Sequence, residues 1–252
     1  MDPRIPKIAR ILIDSVNVKK GQSVLVSADV VARPLVLEVY KQLIQREAYP
    51  VLHLSFDGLA PIYYKYASDK QLMHFSEIAT FESKKCASHI IISAPKDRYE
   101  LKDTDPKKLS LRSRILFKLH FEELGKPWVG TDYPTEAYAR DAGMPLKKYA
   151  DFVFDSSLYD IKPEAKKWKK IQQIVNKGSK VRIIGKNTDL RFSIKGRKAI
   201  GIEEYHRKNV PDGEIYTAPV IESVNGHVQF TYPAIIAGRE VPNVFAEFKM
   251  EN

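Results

Sequence analysis

Amphipathic segments and short apolar runs follow one another along roughly the first 155 residues. Apolar residues recur at helical spacing from Pro6 to Val16, and a second helix is predicted to open at Pro34. Strands that alternate with helices in this way are typical of an open, mainly parallel sheet covered by helices. Further helices are predicted at Lys70–Phe81 and Lys107–Glu122, and strands at Ser23–Ala28, Val51–Phe56, His89–Ser93 and Trp128–Gly130.

After a predicted helix at Pro163–Asn176, the pattern changes to short strands joined by turns. Strands are predicted at Val181–Gly185 and Leu190–Lys195, and a hairpin built on the pair Asn225-Gly226 is predicted at Val220–Tyr232. We therefore expect an α/β fold with two parts. Residues 1–178 form an α/β domain, and residues 179–252 form a smaller, antiparallel β-rich piece.

The last segment, Val244–Asn252, alternates apolar and polar residues as a half-buried strand does. It stops where a hairpin turn is expected, which leaves no sequence for a neighbouring strand. From this pattern we expect the chain to be the amino-terminal portion of a longer protein.

The chain has 252 residues and a formal net charge of +10, so a nucleic acid or an anionic membrane has to be considered as a partner. The densest lysine cluster lies on the predicted helix Pro163–Asn176, where a solvated helix face accounts for it. No RNA-binding aromatic motif or zinc finger accompanies the charge. We expect no nucleic-acid or membrane partner, and we keep a basic nucleic-acid-binding protein as an alternative. The sequence shows no export signal or long apolar run, which predicts a cytoplasmic location.

Several common active-site motifs are absent from the sequence. The turn after the first predicted strand, Asp29–Arg33, lacks the glycines that bring backbone amides against a phosphate. Neither His-Glu-x-x-His nor Gly-x-Ser-x-Gly occurs. The single cysteine, Cys86, is interpreted as a small buried apolar residue. These observations argue against dinucleotide binding and against the commonest zinc-protease and α/β-hydrolase sites.

Glu203 and His206 have the spacing that places a carboxylate and an imidazole on one helical face in di-metal sites. Only one such pair is present, and its segment is short, charged and soon followed by Asn209 and Pro211. A solvated loop is therefore favoured over a metal-binding role, and the second alternative stays open.

Glu214 is the stronger candidate for metal binding. Pro211 and Gly213 constrain and turn the backbone before it, and Glu214 then projects from the entry to a strand. A carboxylate held firmly in this way suits a hard or borderline divalent cation. Taken alone, the turn Pro211–Glu214 is more typical of a solvated acidic residue.

Longer motifs around Glu214 resemble the thermophilic metalloaminopeptidases of the aminopeptidase T and aminopeptidase S (PepS) type. The resemblance rests on long, ordered segments and spans essentially the whole chain. The sequence departs from the family pattern at Gly201–Lys208, which is longer than the usual link into the motif and weakens the case for His206 as a ligand. The matching segments are Asp2–Arg4, Val18–Val26, Thr188–Arg197, Asn209–Pro219, Ser223–Gly226 and Tyr232–Glu240.

The resemblance implies that Glu214 is a ligand to a pair of divalent metal ions (Zn²⁺, Co²⁺ or Mn²⁺). It implies an enzyme that removes amino-terminal residues from peptides and forms a homodimer, with residues 179–252 as the incomplete start of its catalytic domain. The family's other ligands lie beyond the point that matches Asn252, so we expect this chain alone to be inactive. The alternative is a non-catalytic gating, dimerisation or binding module.

Overall fold

The computed structural model describes residues 2–123, 125–201, 206–236 and 238–249. The chain divides into two compact units, Met1–Tyr159 with His206–Asp212, and Asp160–Tyr205 with Gly213–Asn252. The helices are α1 (Ile5–Ser15), α2 (Arg33–Gln45), α3 (Leu59–Tyr66), α4 (Asp69–Leu72), α5 (Glu77–Lys85), α6 (Pro106–Glu123), α7 (Glu136–Asp141), α8 (Leu146–Ser157) and α9 (Ala165–Lys177). The strands are β1 (Ser23–Asp29), β2 (Tyr49–Ser55), β3 (Ser88–Ser93), β4 (Trp128–Asp132), β5 (Lys180–Gly185), β6 (Thr188–Ser193), β7 (Asn209–Val210), β8 (Asn225–Gln229), β9 (Ala234–Ile236), β10 (Arg239–Val241) and β11 (Phe245–Phe248).

The first unit is built on a five-stranded sheet in the order β2-β1-β3-β4-β7, with every neighbouring pair parallel. The chain therefore moves from β1 first to the β2 edge of the sheet and then through β3 and β4 to the other edge, as in doubly wound sheets. The expected open, mainly parallel sheet with flanking helices is confirmed. None of the described helices combines the length and apolar character needed to cross a membrane.

The core of the first unit lies between one face of this sheet and the helices α1 and α2. Val24 and Val26 of β1 are fully buried there, together with Leu12 of α1 and Val39 of α2. The helical spacing of apolar residues in α1 puts one face of that helix against the sheet. Each such side chain contributes roughly 1.5–3 kcal/mol when it is removed from water.

The second unit contains α9 and antiparallel strands. Its four-stranded sheet has the order β11-β8-β6-β5, and β9 pairs with β10. The expected antiparallel β-rich part is therefore confirmed, and Asn187 forms the turn between β5 and β6 at a φ of 52°. Helix α9 lies in this unit. The domain boundary at residue 178 stays a prediction.

The hairpin expected on Asn225-Gly226 is wrong, because both residues lie inside β8. Gly226 pairs with Leu190 on one side and with Phe248 on the other. A Cβ atom at Gly226 would collide with the carbonyl oxygen of Asp189. The glycine thus permits close approach of two strands and does not form a turn.

Two other details differ from the expected elements. The helix predicted at Lys70–Phe81 is divided into α4 and α5, and Ser76 begins the second helix by accepting a 3.1 Å hydrogen bond from the Ala79 N–H. The last strand, β11, pairs with β8, so the expected lack of a neighbouring strand is wrong for one of its sides.

Candidate functional site

The backbone just before Glu214 is fixed by β7 at the edge of the five-stranded sheet. The Gly130 N–H donates a 2.7 Å hydrogen bond to the Lys208 carbonyl oxygen. The Thr131 hydroxyl donates a 2.6 Å hydrogen bond to the carbonyl oxygen of Val210, which is 1% exposed. Residues 209 and 210 are thus held in the first unit by buried backbone pairing.

The backbone just after Glu214 is fixed within the second unit. Tyr216 and Ile200 exchange two backbone hydrogen bonds of 2.9 Å. Ile215 packs closely on Gly201, where an added Cβ atom would lie 3.2 Å from the Ile215 side chain. The strand expected to begin at Glu214 is not formed, and in its place Tyr216 makes a single isolated bridge to Ile200.

Gly213 has a φ of 154°, a conformation that residues with a Cβ atom rarely adopt. An added Cβ atom would also touch the ring of Trp168 at 3.6 Å. The φ value explains why glycine precedes Glu214, whereas the distance to Trp168 is an ordinary van der Waals contact.

The side chain of Glu214 is exposed. Its carboxylate makes no hydrogen bond or ion pair with the other residues that the structure describes. It stands on backbone that is constrained from both sides, so little conformational entropy is lost when it binds a ligand. An anionic oxygen donor of this kind fits a divalent cation.

His206 lies close to this segment in sequence, and its backbone N–H donates a 3.2 Å hydrogen bond to the Asp212 carboxylate. Burial lowers the pKa of His206, and the charge of Asp212 partly opposes that effect. Glu203 lies outside the described residues. The favoured solvated loop and the alternative metal-binding role of Glu203 and His206 therefore both stay untested.

No group of three or more His, Cys, Asp or Glu side chains that could hold a metal ion occurs within the described residues. Catalytic metal ions are usually held by about three protein ligands. The role of Glu214 as a metal ligand therefore stays a prediction.

A second polar cluster lies where the parallel strands end, and the sequence motifs did not indicate it. The Asp29 carboxylate at the end of β1 accepts a 2.7 Å hydrogen bond from the Ala94 N–H that follows β3. Doubly wound sheets bind ligands at this position, because β1 and β3 are the strands from which the chain turns in opposite directions. In this chain the Asp29 carboxylate ties the ends of β1 and β3 together.

Tyr138 extends this cluster towards β4. Its hydroxyl lies 2.9 Å from the Ser93 hydroxyl and donates a 2.9 Å hydrogen bond to the Asp132 carboxylate. Burial raises the pKa of Tyr138 to about 12, so the phenol stays protonated near neutral pH. It acts as a hydrogen-bond donor that joins the ends of β3 and β4.

Comparison with protein families gives a match along almost the whole chain. A model of the thermophilic metalloproteases (M29) matches residues 1–250. No curated protein matches the chain.

Among solved structures, wild-type AmpT from Thermus thermophilus superposes with a TM-score of 0.75 at 20% sequence identity. The match covers 98% of this chain and 69% of that one. At this identity it demonstrates a shared fold. A putative LacI-family transcription repressor from Corynebacterium glutamicum matches 60% of this chain and 53% of its own at 12% identity, with a TM-score of 0.31 that supports no argument.

Proposed function

The chain belongs to the thermophilic metalloprotease family M29, and from this membership we propose that it supplies the metal ligand Glu214 to a two-metal aminopeptidase. Metal-dependent peptide hydrolysis is the chemistry of the family. The assignment to Glu214 rests on one observation. Its carboxylate is exposed, while the backbone before it is hydrogen-bonded to Thr131 and the backbone after it is hydrogen-bonded to Ile200.

Glu214 would help to hold two divalent ions, Zn²⁺, Co²⁺ or Mn²⁺, and these ions would supply polarisation of a peptide carbonyl and a lowered pKa of a bound water. In this chain, Glu214 contributes negative charge and a fixed oxygen donor. Gly213 and the pairing of Tyr216 with Ile200 determine the path of the backbone on either side of it. The substrates are peptides with a free amino terminus.

No group of three or more His, Cys, Asp or Glu side chains that could hold a metal ion occurs within the described residues, and we propose that further ligands complete this centre. One carboxylate cannot orient a catalytic ion alone. The purified chain is therefore expected to release no product from an aminoacyl chromogenic substrate. Metal-dependent turnover by this chain that is lost in Glu214→Ala would contradict the expectation.

We further propose a homodimer located in the cytoplasm, with an α/β domain at residues 1–178 and the start of the catalytic domain at residues 179–252. The match to the thermophilic metalloprotease family over residues 1–250 supports the peptidase assignment. The second candidate function is a non-catalytic gating or dimerisation module.

The native protein distinguishes these two functions. It is captured from its source cells with an antibody against this chain, and its intact mass is measured. Its aminopeptidase activity is then assayed before and after a chelator removes the metal. Aminopeptidase activity that disappears with the metal and returns with Zn²⁺, Co²⁺ or Mn²⁺ supports the enzyme. A captured protein that never hydrolyses aminoacyl substrates supports the non-catalytic module.

A further inference from the structure

Helix α9 presents three residues, four positions apart, to neighbouring backbone in the second unit. Trp168, Gln172 and Asn176 share one face of the helix, because residues at this spacing lie above one another on an α-helix. Ile171 and Ile174 lie on another side and are 48% and 63% exposed. The face of α9 that contacts other backbone is therefore largely polar.

Gln172 and Asn176 both bond to Ala199. Gln172 Nε2 donates a 3.0 Å hydrogen bond to the Ala199 carbonyl oxygen, and Asn176 Oδ1 accepts a 2.8 Å hydrogen bond from the Ala199 N–H. Ala199 is fully buried, so both of its backbone groups need partners within the protein. Gln172 and Asn176, which we call the amide pair, supply one donor and one acceptor, as a neighbouring strand would.

The backbone groups of Ile200 point to the other side of the same segment. Its N–H and C=O exchange two hydrogen bonds of 2.9 Å with Tyr216. This alternation is that of an extended strand, in which successive residues turn their backbone groups to opposite sides. Residues 199 and 200 are therefore held between α9 and Tyr216, which follows Glu214 by two positions.

Close packing connects the same parts of the second unit. An added Cβ atom at Gly201 would lie 3.5 Å from the Gln172 side chain and 3.2 Å from the Ile215 side chain. Gly201 is buried. It therefore lies between α9 and the residue that directly follows Glu214.

Trp168 contacts the chain on the other side of Glu214. Its ring lies 3.6 Å from the position of a Cβ atom at Gly213, which directly precedes Glu214. One face of α9 thus reaches the backbone before Glu214 directly and the backbone after it through residues 199–201.

We propose that Gln172 and Asn176 are positioning residues for Glu214 and act on it through the backbone bridge between Ile200 and Tyr216. The inference rests on the proposed function, since it requires Glu214 to bind a metal ion. A ligand on fixed backbone loses less conformational entropy when it binds. Loss of a residue that orients a metal ligand typically lowers metal affinity roughly 10–100-fold.

The chemistry of the contact favours positioning over simple packing. Within α9, all of whose residues are described, no side chain is buried, so the helix contributes little to an apolar core. Hydrogen bonds are directional, and two of them to one buried residue fix both the place and the orientation of its backbone. Apolar contact alone would leave that orientation free.

Replacing each amide by the carboxylate of the same shape separates the donor from the acceptor. In Gln172→Glu, the carboxylate has no N–H for the Ala199 carbonyl oxygen and repels it. In Asn176→Asp, the carboxylate still accepts from the Ala199 N–H. Gln173→Glu makes the same change of charge at an exposed side chain of α9 and serves as the matched control.

The first measurement is amide hydrogen exchange in the purified chain, which requires neither metal nor activity. In Gln172→Glu, the Ile200 and Tyr216 amides are expected to exchange at least roughly tenfold faster than in the wild type, because the bridge opens more often. Asn176→Asp and Gln173→Glu are expected to keep wild-type rates. Unchanged exchange in β1 shows that each variant is folded.

The second measurement is the metal affinity of the native protein, with each variant introduced in the source cells. A chelator removes the metal, the ion that restores wild-type activity (Zn²⁺, Co²⁺ or Mn²⁺) is added back stepwise, and bound metal and kcat are both measured. Gln172→Glu is expected to need at least roughly tenfold more free ion for half-maximal binding and to approach the wild-type kcat at saturating ion. A role in folding alone would lower bound metal and activity in the same proportion at every ion concentration.

The outcomes separate positioning from the proposed function. Faster exchange and a weaker metal affinity in Gln172→Glu, with neither change in Asn176→Asp, support the proposal. Wild-type exchange at Ile200 and Tyr216 in Gln172→Glu overturns it, as do equal changes in Gln173→Glu. Faster exchange with unchanged metal affinity overturns positioning and leaves the proposed function standing. A native wild-type protein that neither binds metal nor hydrolyses aminoacyl substrates overturns both.

Discussion

Thr131 and Val210 lie opposite one another in the parallel sheet, and the Thr131 hydroxyl donates a 2.6 Å hydrogen bond to the Val210 carbonyl oxygen. The two residues are 79 positions apart in sequence, and the second precedes Glu214 by four residues. After the intervening segment, the chain therefore rejoins the five-stranded sheet at Val210, shortly before the candidate ligand Glu214.

Replacement of Thr131 by valine removes the hydroxyl and keeps the shape of the side chain. The Val210 carbonyl then loses a buried partner, so we expect the free energy of unfolding to fall by about 1–2 kcal/mol. Urea unfolding measures the change. Thr217→Val is the control, because the Thr217 hydroxyl makes a longer, exposed hydrogen bond of 3.4 Å to Lys198. If both variants lost the same free energy of unfolding, the hydrogen bond from Thr131 would contribute no more to stability than the exposed one from Thr217.

Gly213→Ala tests how the backbone directs Glu214. The variant places a Cβ atom at a φ of 154° and against Trp168, so we expect it to cost about 1–3 kcal/mol of stability. Aminopeptidase activity of the native assembly is expected to fall further than this loss of folded protein explains. Gly130→Ala is the control, since the added Cβ atom meets its neighbours at 3.8 Å or more. If Gly213→Ala lost no more activity than Gly130→Ala, the backbone conformation at Gly213 would not be important for aminopeptidase activity.

Glu38 makes the stability of the first unit depend on pH. Hydrogen bonds from Gln42 at 2.8 Å and Lys41 at 2.6 Å hold the pKa of Glu38 below its ordinary value of 4.5. A carboxylate with a lowered pKa stabilises the folded state above its ordinary pKa, and this contribution is lost as the pH falls through the lower value of the folded protein.

Glu38→Gln removes this titration and the ion pair with Lys41. We expect the variant to be less stable than the wild type by about 1 kcal/mol near neutral pH. The difference should shrink as the pH falls from about 6 to about 3, because the wild-type carboxylate becomes protonated. Urea unfolding at several pH values checks this. A difference that stays constant with pH would contradict the role of the Glu38 charge.

Most elements of the main sheet could be predicted from the sequence, because buried parallel strands such as β1 and β3 leave continuous apolar runs. Strand β7 could not, since Asn209–Val210 is too short to show any periodicity. Helix α3 was also missed. It carries Pro61 within its first turn and has no buried residue, so neither helix propensity nor an apolar face indicates it.

The candidate site was less accessible to sequence reasoning than the fold. Glu214 was identified because glycine and proline surround it and because longer motifs resemble a metallopeptidase family. The hydrogen bond between Asp29 and Ala94 joins residues that are 65 positions apart, and no local sequence pattern predicts such a contact. The pair Asn225-Gly226 led to a wrong hairpin prediction, because glycine occurs where two strands approach closely as well as in turns. Only the position of Asp189 next to Gly226 in the structure distinguishes the two cases.

The most direct test of the account is the metal-dependent aminopeptidase activity of the native assembly carrying Glu214→Gln, introduced in the gene of the source cells. Loss of a metal-ligand carboxylate is expected to lower kcat/KM at least roughly hundredfold and to lower the bound metal content, at an unchanged amount of folded protein. Glu222→Gln, at another exposed acid of the second unit, is expected to keep full activity and metal. If Glu214→Gln retains wild-type activity and metal content, Glu214 is not a ligand and the central claim is wrong.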